Sequence, residues 1–399
     1  MTRLHRVSQP CLERVDFVIP QEKHRITFVV SGLSPTLGLE RVTLSLLDVL
    51  DAEFDIHVIC IGGSYTDKSL HNNVEVLGTP LTGLQRIRSV PRLYARSRHS
   101  GLGTVVLVGV WTAIPWLMIA PRRAAGTIVW EHTLLQEKLA KSRQLHLLKL
   151  MSRWLYQRAD CVVGVSTPVT DDIAEYGNVR WLETIPNLVE TPTRVEIQES
   201  LRTKVTDPYR IVCVGSLSSI KSQDLAIKAM ALLDDKYSLT LIGAGPRMQA
   251  LKDMATELGV QDRVHFTGHL ARDQVMENLR AAALLLHCSV AETFGLVYVE
   301  AADLGIPVLS VSTRAARQLI PAYVPGWLCE NDAASIAATI RRVASLPKPS
   351  DEAYVGAASR RAQEFGAIRV RDAWREILKH VGAFTNQERQ HIPAAQAEK

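Results

Sequence analysis

What most constrains this chain is a rhythm. Short apolar, β-branched runs alternate with stretches of helical periodicity along almost the whole length, and the pattern starts twice. In the first half the runs lie at 26–30, 56–61, 74–77, 105–108, 127–130 and 161–165. In the second half they lie at 211–214, 239–242, 264–266, 284–287 and 308–311. Between them apolar residues recur at helical spacing, as at 39–50, 224–233 and 248–258. Strands buried on both faces read as continuous apolar runs, and strand–helix–strand repetition builds parallel sheets.

Both halves open alike, with a strand running into a glycine turn. Arg25-Ile26-Thr27-Phe28-Val29-Val30-Ser31-Gly32 begins the first and Arg210-Ile211-Val212-Cys213-Val214-Gly215-Ser216 the second. The polar, proline-containing stretch 190–208 between them is expected to be a linker. A chain of 399 residues has room for two such units. The expected fold is therefore α/β, with two Rossmann-like βαβ domains facing an interdomain cleft. Their expected bounds are 1–195 and 196–370, followed over 371–399 by a crossing helix and a polar tail. An amphipathic pattern at 368–384 marks that helix. In sheets of this kind ligands sit at the carboxyl ends of the strands, so the cleft is the default site.

Composition narrows the function class. With 47% apolar and 22% charged residues the chain is globular, neither disordered nor collagen-like. A net charge of +5 is too slight to argue for nucleic acid, though it suits anionic ligands or a membrane surface. The six cysteines (Cys11, Cys60, Cys161, Cys213, Cys288, Cys329) form no C-x-x-C pair and no zinc spacing. Buried reduced thiols, and with them a cytoplasmic setting, are expected. The charged N-terminus shows no signal-peptide pattern. The apolar stretch 104–120 contains Gly109 and Pro115, and reads as strand, turn and short helix rather than a membrane span.

The most informative segment is 284–311. A buried strand ends at Ser289, a loop carries Glu292, and Thr293-Phe294-Gly295 opens a helix holding Glu300. Gly305 and Pro307 stop that helix. The opening glycine lets a ligand approach the free N–H groups of the first turn, where the dipole favours an anion. Taken singly, Glu292 and Glu300 would pass for a loop charge and a solvated helix charge. Eight residues apart, they instead border the same anion site. Carboxylates beside an anion make sense where they meet hydroxyls, which suits a sugar joined to a phosphate.

Here the chain resembles the family 4 retaining glycosyltransferases, which have the GT-B fold. The pair Glu292 and Glu300 matches the family's E-x7-E motif. Val214-Gly215-Ser216-Leu217 with Lys221 resembles the first donor-domain loop, and Ile185-Pro186-Asn187 the block before the linker. Leu241-Ile242-Gly243 with Gly245-Pro246, and Val264, Phe266 and Gly268, match two further strand ends. Gly38-Leu39-Glu40-Arg41 resembles the loop after the first strand.

The resemblance implies roles. Glu292 and His132 would stand at the transferred sugar. Glu300 would accept hydrogen bonds from the ribose. Gly215, Ser216, Lys221, Gly243, Phe294, Gly295 and Leu296 would complete the donor site, with Gly38 on the acceptor-side loop. No metal and no cofactor are expected beyond the nucleotide-sugar donor, UDP- or GDP-linked. Two departures stand out. Ser216 replaces an arginine usual in the family, with Arg247, Arg314 and Arg317 as candidate substitutes. Leu37 and Gln318 replace a glycine and a glutamate.

The implied function is sugar transfer from a nucleotide sugar to a glycan or lipid-linked acceptor, in surface polysaccharide or glycolipid biosynthesis. Three alternatives stay open at this point: a catalytically silent relative, a GT-B sugar-nucleotide epimerase, and an NAD-dependent oxidoreductase. The last is disfavoured because Gly243 and Gly245 lack the third glycine of the dinucleotide fingerprint. The segment 138–158, from Lys138 to Arg158, is rich in cations, with Leu147, Met151, Trp154 and Leu155 on one helical face. It reads either as a core-packed helix or as a dock for anionic lipid at the inner membrane face. Arg86, Arg88, Arg92, Arg96 and Arg98 form a second cluster of the same kind.

Overall fold

Each apolar run becomes a strand, because only a sheet covered by helices on both faces buries both sides of such a segment. The computed structural model describes residues 23–33, 38–62, 73–77, 90–98, 101–119, 126–134, 150–176, 179–202 and 207–390. Its first sheet holds β1 (Arg25–Val30), β2 (Asp55–Cys60), β3 (Val74–Val76), β4 (Thr104–Val108), β5 (Thr127–Glu131), β6 (Cys161–Gly164) and β7 (Leu182–Thr184), in the order β3-β2-β1-β4-β5-β6-β7. The second holds β8 (Arg210–Val214), β9 (Ser238–Ile242), β10 (Val264–Gly268), β11 (Leu284–His287), β12 (Val308–Val311) and β13 (Gly326–Cys329), in the order β10-β9-β8-β11-β12-β13. The strand neighbours pair in parallel in both sheets.

Helices α1 (Gly38–Asp51), α2 (Val90–Ser97), α3 (Val110–Ile119) and α4 (Thr167–Tyr176) accompany the first sheet. After α5 (Arg194–Arg202) come α6 (Gln223–Met230), α7 (Met248–Glu257), α8 (Arg272–Arg280), α9 (Leu296–Asp303), α10 (Arg314–Leu319) and α11 (Ala333–Ala344). The chain closes with α12 (Asp351–Phe365) and α13 (Ala367–Gln390). Strand order reverses between β1 and β4 and again between β8 and β11. Each reversal opens a crevice at the carboxyl ends, the place where such sheets bind ligands.

Several expectations need correction. The apolar runs do not announce β7 and β13, edge strands that are largely half-exposed or exposed. The stretch expected as a linker carries α5. A capping box explains it: Glu196 Oε2 accepts the Thr193 N–H at 2.7 Å, and Thr193 Oγ1 accepts the Glu196 N–H at 3.3 Å. The first residues of the expected polar tail, 386–390, continue α13. The stretch 104–120 divides into β4 and α3, and among the described residues no helix is long and apolar enough to cross a membrane.

The last helix belongs to the first core. Val370, Trp374, Ile377, Leu378 and Val381 of α13 are buried with the β1–β6 side chains. Trp374 stands edge-on to Trp130 at 5.3 Å between ring centroids. On the surface side Arg375 grips Glu53. The chain thus returns from the second sheet to close on the first. Cys60, Cys161, Cys213, Cys288 and Cys329 are buried free thiols, while Cys11 lies outside the described residues.

Candidate active site

The site grows from the start of α9. Gly295 has φ +85°, and a Cβ there would stand 2.5 Å from the Tyr298 ring, so both backbone and space require glycine. This turn presents the first α9 N–H groups to the cleft. The glycine loops after β8 and β9 are pressed together beside it. Gly215 N donates to Ile242 O at 2.9 Å, and a Cβ on Gly243 would meet Gly215 O at 2.1 Å.

Glu292, just before the helix, is gripped from two sides. Lys221 Nζ donates to its Oε2 at 2.7 Å, and His287 Nε2 lies 3.0 Å from the same oxygen. Because a carboxylate only accepts, the proton is on that imidazole nitrogen. Burial opposes ionisation of Glu292, but the His287 hydrogen bond and the Lys221 charge outweigh it. They hold the carboxyl well below the ordinary range. Burial likewise lowers the His287 pKa, more than Glu292 raises it, so the imidazole is neutral. Tyr298 packs edge-on against His287 and reaches the Ser310 hydroxyl at 3.0 Å, fixing the ring from behind.

Glu300 lies on the same helix, in a different setting. Arg272 Nη1 donates to its Oε1 at 2.8 Å, and Arg41 Nη2 stands 2.6 Å from that atom. Burial raises the Glu300 pKa against the pull of Arg272. With two guanidinium groups on one oxygen, the carboxylate is the form present at neutral pH.

The first sheet contributes from across the cleft. Gly38, the first residue of α1, faces Leu296, the first of α9: a Cβ built on it would lie 3.5 Å from Leu296 Cδ1. Ser166, after β6, donates its hydroxyl to Thr293 O at 2.5 Å and so tethers the Glu292 loop to the first domain. His132 follows β5, at the carboxyl end of the first sheet. Its ring packs on Trp130 at 4.4 Å, and its Nε2 is buried without a hydrogen-bond partner among the described residues. Burial pushes its pKa down to about 3. Beneath it, the fully buried Glu131 accepts the backbone N–H groups of His132 and Thr133 and the Tyr156 hydroxyl.

The structure therefore brings Gly215, Lys221, Gly243, Glu292, Phe294, Gly295, Leu296 and Glu300 to one end of the second sheet, with Gly38 facing them. Ser216 is exposed there, its Oγ 3.5 Å from Ser218 Oγ. The three arginines considered in its place are engaged elsewhere: Arg247 with Asp224, Arg314 with Glu175 and Arg317 with Ser312. Arg272, Arg41 and His287 are the residues that sequence reasoning missed. Their partners lie 28, 259 and five residues away in the chain. His287 carried a local signal, a polar residue ending an apolar strand, and Arg41 stood in the 38–41 block without a role assigned to it. Leu37 lies outside the described residues.

Next to the Glu292 loop the cleft holds a cavity of about 700 Å³. Thr293, Phe294 and Gln318 line it from the second domain, and Ser166, Trp181 and Ile185 from the first. Among the described residues no group of three or more His, Cys, Asp or Glu side chains is arranged to hold a metal ion.

Comparison with known proteins agrees with this architecture. Residues 37–192 match the family model Glycosyltransferase Family 4, and residues 196–361 match Glycosyl transferases group 1. The chain belongs to the GT-B glycosyltransferases. Among relatives, the GDP-mannose-dependent alpha-(1-6)-phosphatidylinositol monomannoside mannosyltransferase of Mycobacterium tuberculosis is 27% identical over 272 residues, 63% of this chain and 70% of that protein. Among solved structures, sucrose-phosphate synthase from Thermosynechococcus elongatus superposes with a TM-score of 0.74 at 18% identity, covering 90% of this chain and 99% of that one. Anabaena Alr3699/HepE, solved in complex with UDP, gives a TM-score of 0.70 at 19% identity over 89% and 100% of the two chains. The two solved structures share the fold of this chain.

Proposed function

We propose that this glycosyltransferase takes its sugar from a nucleotide-sugar donor bound at the carboxyl ends of β8 and β9, and transfers it with retention to a hydroxyl of a glycan or lipid-linked acceptor. The observation that carries the reading is the pair of carboxylates around the α9 N-terminus. Glu292 sits beside a lysine, Glu300 one helical turn further in. The diphosphate would lie on the free N–H groups of α9 with Lys221, and Glu300 would receive the ribose hydroxyls. The ionised Glu292 would face the anomeric carbon and stabilise the positive charge developing there.

In the reaction the acceptor hydroxyl oxygen bonds to the anomeric carbon as the bond from that carbon to the β-phosphate oxygen breaks. The electron pair and the acceptor's proton leave with the nucleoside diphosphate. Preorganised N–H groups and a fixed ammonium stabilise the leaving charge, and losing one such donor typically costs roughly 3–4 kcal/mol of barrier. The donor brings its own leaving group, so the reading requires no resident cofactor. The cavity beside Thr293 is of ordinary ligand size and is assigned to the acceptor. Retention is supported by the family resemblance of the 284–311 segment.

A GDP-linked donor and a lipid-linked acceptor are supported by the name of the mycobacterial relative, and a UDP-linked donor by the complex of HepE with UDP. Contact with the inner membrane face is part of the same proposal. Trp154 is 67% exposed, not packed with Met151 and Leu155 as a core face requires, and Trp111, Met118 and Leu150 also leave apolar surface open on the first domain. Most of the basic stretch 138–158, along with Arg86 and Arg88, lies outside the described residues. Vesicles of phosphatidylglycerol should pull the protein down at low salt and release it at high salt; equal pelleting with neutral vesicles would refute that contact.

The test of function is turnover of UDP-glucose and GDP-mannose, followed by nucleoside diphosphate release and by NMR of the product's anomeric proton. One donor should react with retained configuration, and Glu292→Gln should slow the reaction about 10²- to 10³-fold or more. Binding of a nucleotide without turnover, unaltered in Glu292→Gln, would identify a silent relative instead.

A further inference from the structure

The charges in the cleft do not balance evenly. Lys221 and Glu292 neutralise one another, and His287 beside them is neutral. Glu300, in contrast, carries two guanidinium groups on a single oxygen, Arg272 from its own domain and Arg41 from the opposite one. That triad holds a surplus of one positive charge, on side chains that are 50% (Arg272), 29% (Arg41) and 17% (Glu300) exposed. The neighbouring Glu40 turns its carboxylate toward Gly32, where a Cβ would stand 2.9 Å from Oε1. On the other wall Ser216 contributes no charge, and Arg247, Arg314 and Arg317 are held by other partners.

Arg41 is placed to use the surplus. It lies in the first turn of α1, whose first residue, Gly38, abuts Leu296 at the start of α9. Glu300 is four residues beyond Leu296, a rise of about 6 Å along the helix. One swing of an arginine side chain covers that distance. A guanidinium also matches phosphate oxygens as well as it matches a carboxylate, and binds either through paired N–H groups.

We infer that Arg41, reaching from the acceptor domain, is the cation that meets the donor's diphosphate, in the place of the charge that Ser216 does not supply. The inference rests on the donor-site reading above. When donor arrives, its ribose hydroxyls take over Glu300 and Arg41 turns from that carboxylate to the phosphates. Lys221 holds the diphosphate from one domain and Arg41 from the other. Closure of the cleft and neutralisation of the leaving group thereby become one event. As the bond to the anomeric carbon breaks, the electron pair passes to the β-phosphate oxygen, and Arg41 stabilises it there.

A plain latch makes the opposite prediction. If Arg41 only blocks Glu300 in the ligand-free protein, its removal frees the carboxylate and nucleotides bind more tightly. Calorimetric titration decides between the two. UDP, GDP, uridine and guanosine are titrated into the wild type, Glu300→Ala, Arg41→Ala, Arg41→Lys and the double variant Arg41→Ala/Ser216→Arg. Wild-type binding of one nucleoside diphosphate, weakened in Glu300→Ala, establishes the donor site itself.

Arg41→Ala should then weaken that diphosphate about 10- to 100-fold, the usual worth of a charged hydrogen-bonded contact, and leave the matching nucleoside unchanged. Arg41→Lys should lie between. Adding Ser216→Arg to Arg41→Ala should recover most of the loss. Unchanged or tighter binding in Arg41→Ala overturns the inference while the donor site stands. An equal loss for diphosphate and nucleoside also overturns it, since Arg41 would then act on structure alone. Failure of Ser216→Arg to restore affinity shows that the two positions do not exchange charge. If the wild type neither binds a nucleoside diphosphate nor turns over UDP-glucose or GDP-mannose, the donor-site reading falls and this inference with it.

Discussion

Glu292 and Glu300 stand eight residues apart on one loop–helix unit, yet the fold treats them in opposite ways. Glu292 is held from within its own domain, by a neutral imidazole and a lysine, and its carboxyl is pulled below the ordinary range. Glu300 is shared between domains, and burial raises its carboxyl. One carboxylate is built in place before any ligand arrives. The other depends on what lies across the cleft. The difference suits one group for the chemical step and the other for recognition of a ligand that brings the halves together.

The sharpest way to break that comparison is to neutralise each carboxylate in turn. Glu292→Gln should lower kcat by about 10²- to 10³-fold or more, with nucleotide affinity nearly unchanged. Glu300→Gln should do the reverse, losing about 10- to 100-fold in nucleotide affinity. Steady-state kinetics paired with calorimetry separates the two, and equal losses of affinity in both variants would erase the distinction.

A next test removes the cation that keeps Glu292 ionised. In Lys221→Met burial acts against the carboxylate with less opposition, so its pKa rises. The acid limb of the kcat–pH profile should move to higher pH. An acid limb that stays in place would show that Lys221 does not control Glu292. His287→Ala should shift the limb the same way with a smaller loss in kcat, about tenfold for one hydrogen bond. Because that effect runs through Glu292, rescue by His287→Asn would identify positioning.

His132 supplies the smallest expected effect and a control. Its folded pKa of about 3 lies below the unfolded value near 6.5. Between those limits the unfolded chain binds a proton that the folded chain refuses, so stability falls as pH falls. The slope from this group is about 1.4 kcal/mol per pH unit below 6.5. His132→Asn should flatten the wild-type decline in melting temperature between pH 6.5 and 5. An unchanged decline would place the buried charge elsewhere.

Much of this architecture is legible in the amino-acid sequence. The apolar runs mark the interior strands, since burial on both faces leaves no other pattern. Gly295, Gly305 and Pro307 mark the ends of α9, and the spacing of Glu292 and Glu300 puts both at one helix start. The three-residue edge strand β7, Leu182-Glu183-Thr184, escapes notice because a half-exposed strand needs no apolar run, and β13 because its apolar part is only Trp327-Leu328-Cys329. The helix in the expected linker is fixed by the Thr193–Glu196 capping box, a signal local enough to be read. The pairing of Arg41 with Glu300 cannot be found that way. The two are 259 residues apart, and only the closing of one sheet on the other brings them together. Trp154 misleads for a related reason, as helical spacing identifies a shared face but not what covers it.

The central claim is that the cleft at the start of α9 binds a nucleoside diphosphate through Glu300. Thermal unfolding of the wild type and Glu300→Ala with UDP, GDP and ADP tests it most directly. At 100 times its dissociation constant the right nucleotide should stabilise the wild type by roughly 2.7 kcal/mol, and Glu300→Ala far less at the same concentration. Equal stabilisation of both proteins, or none of the wild type by any of the three, would contradict the account.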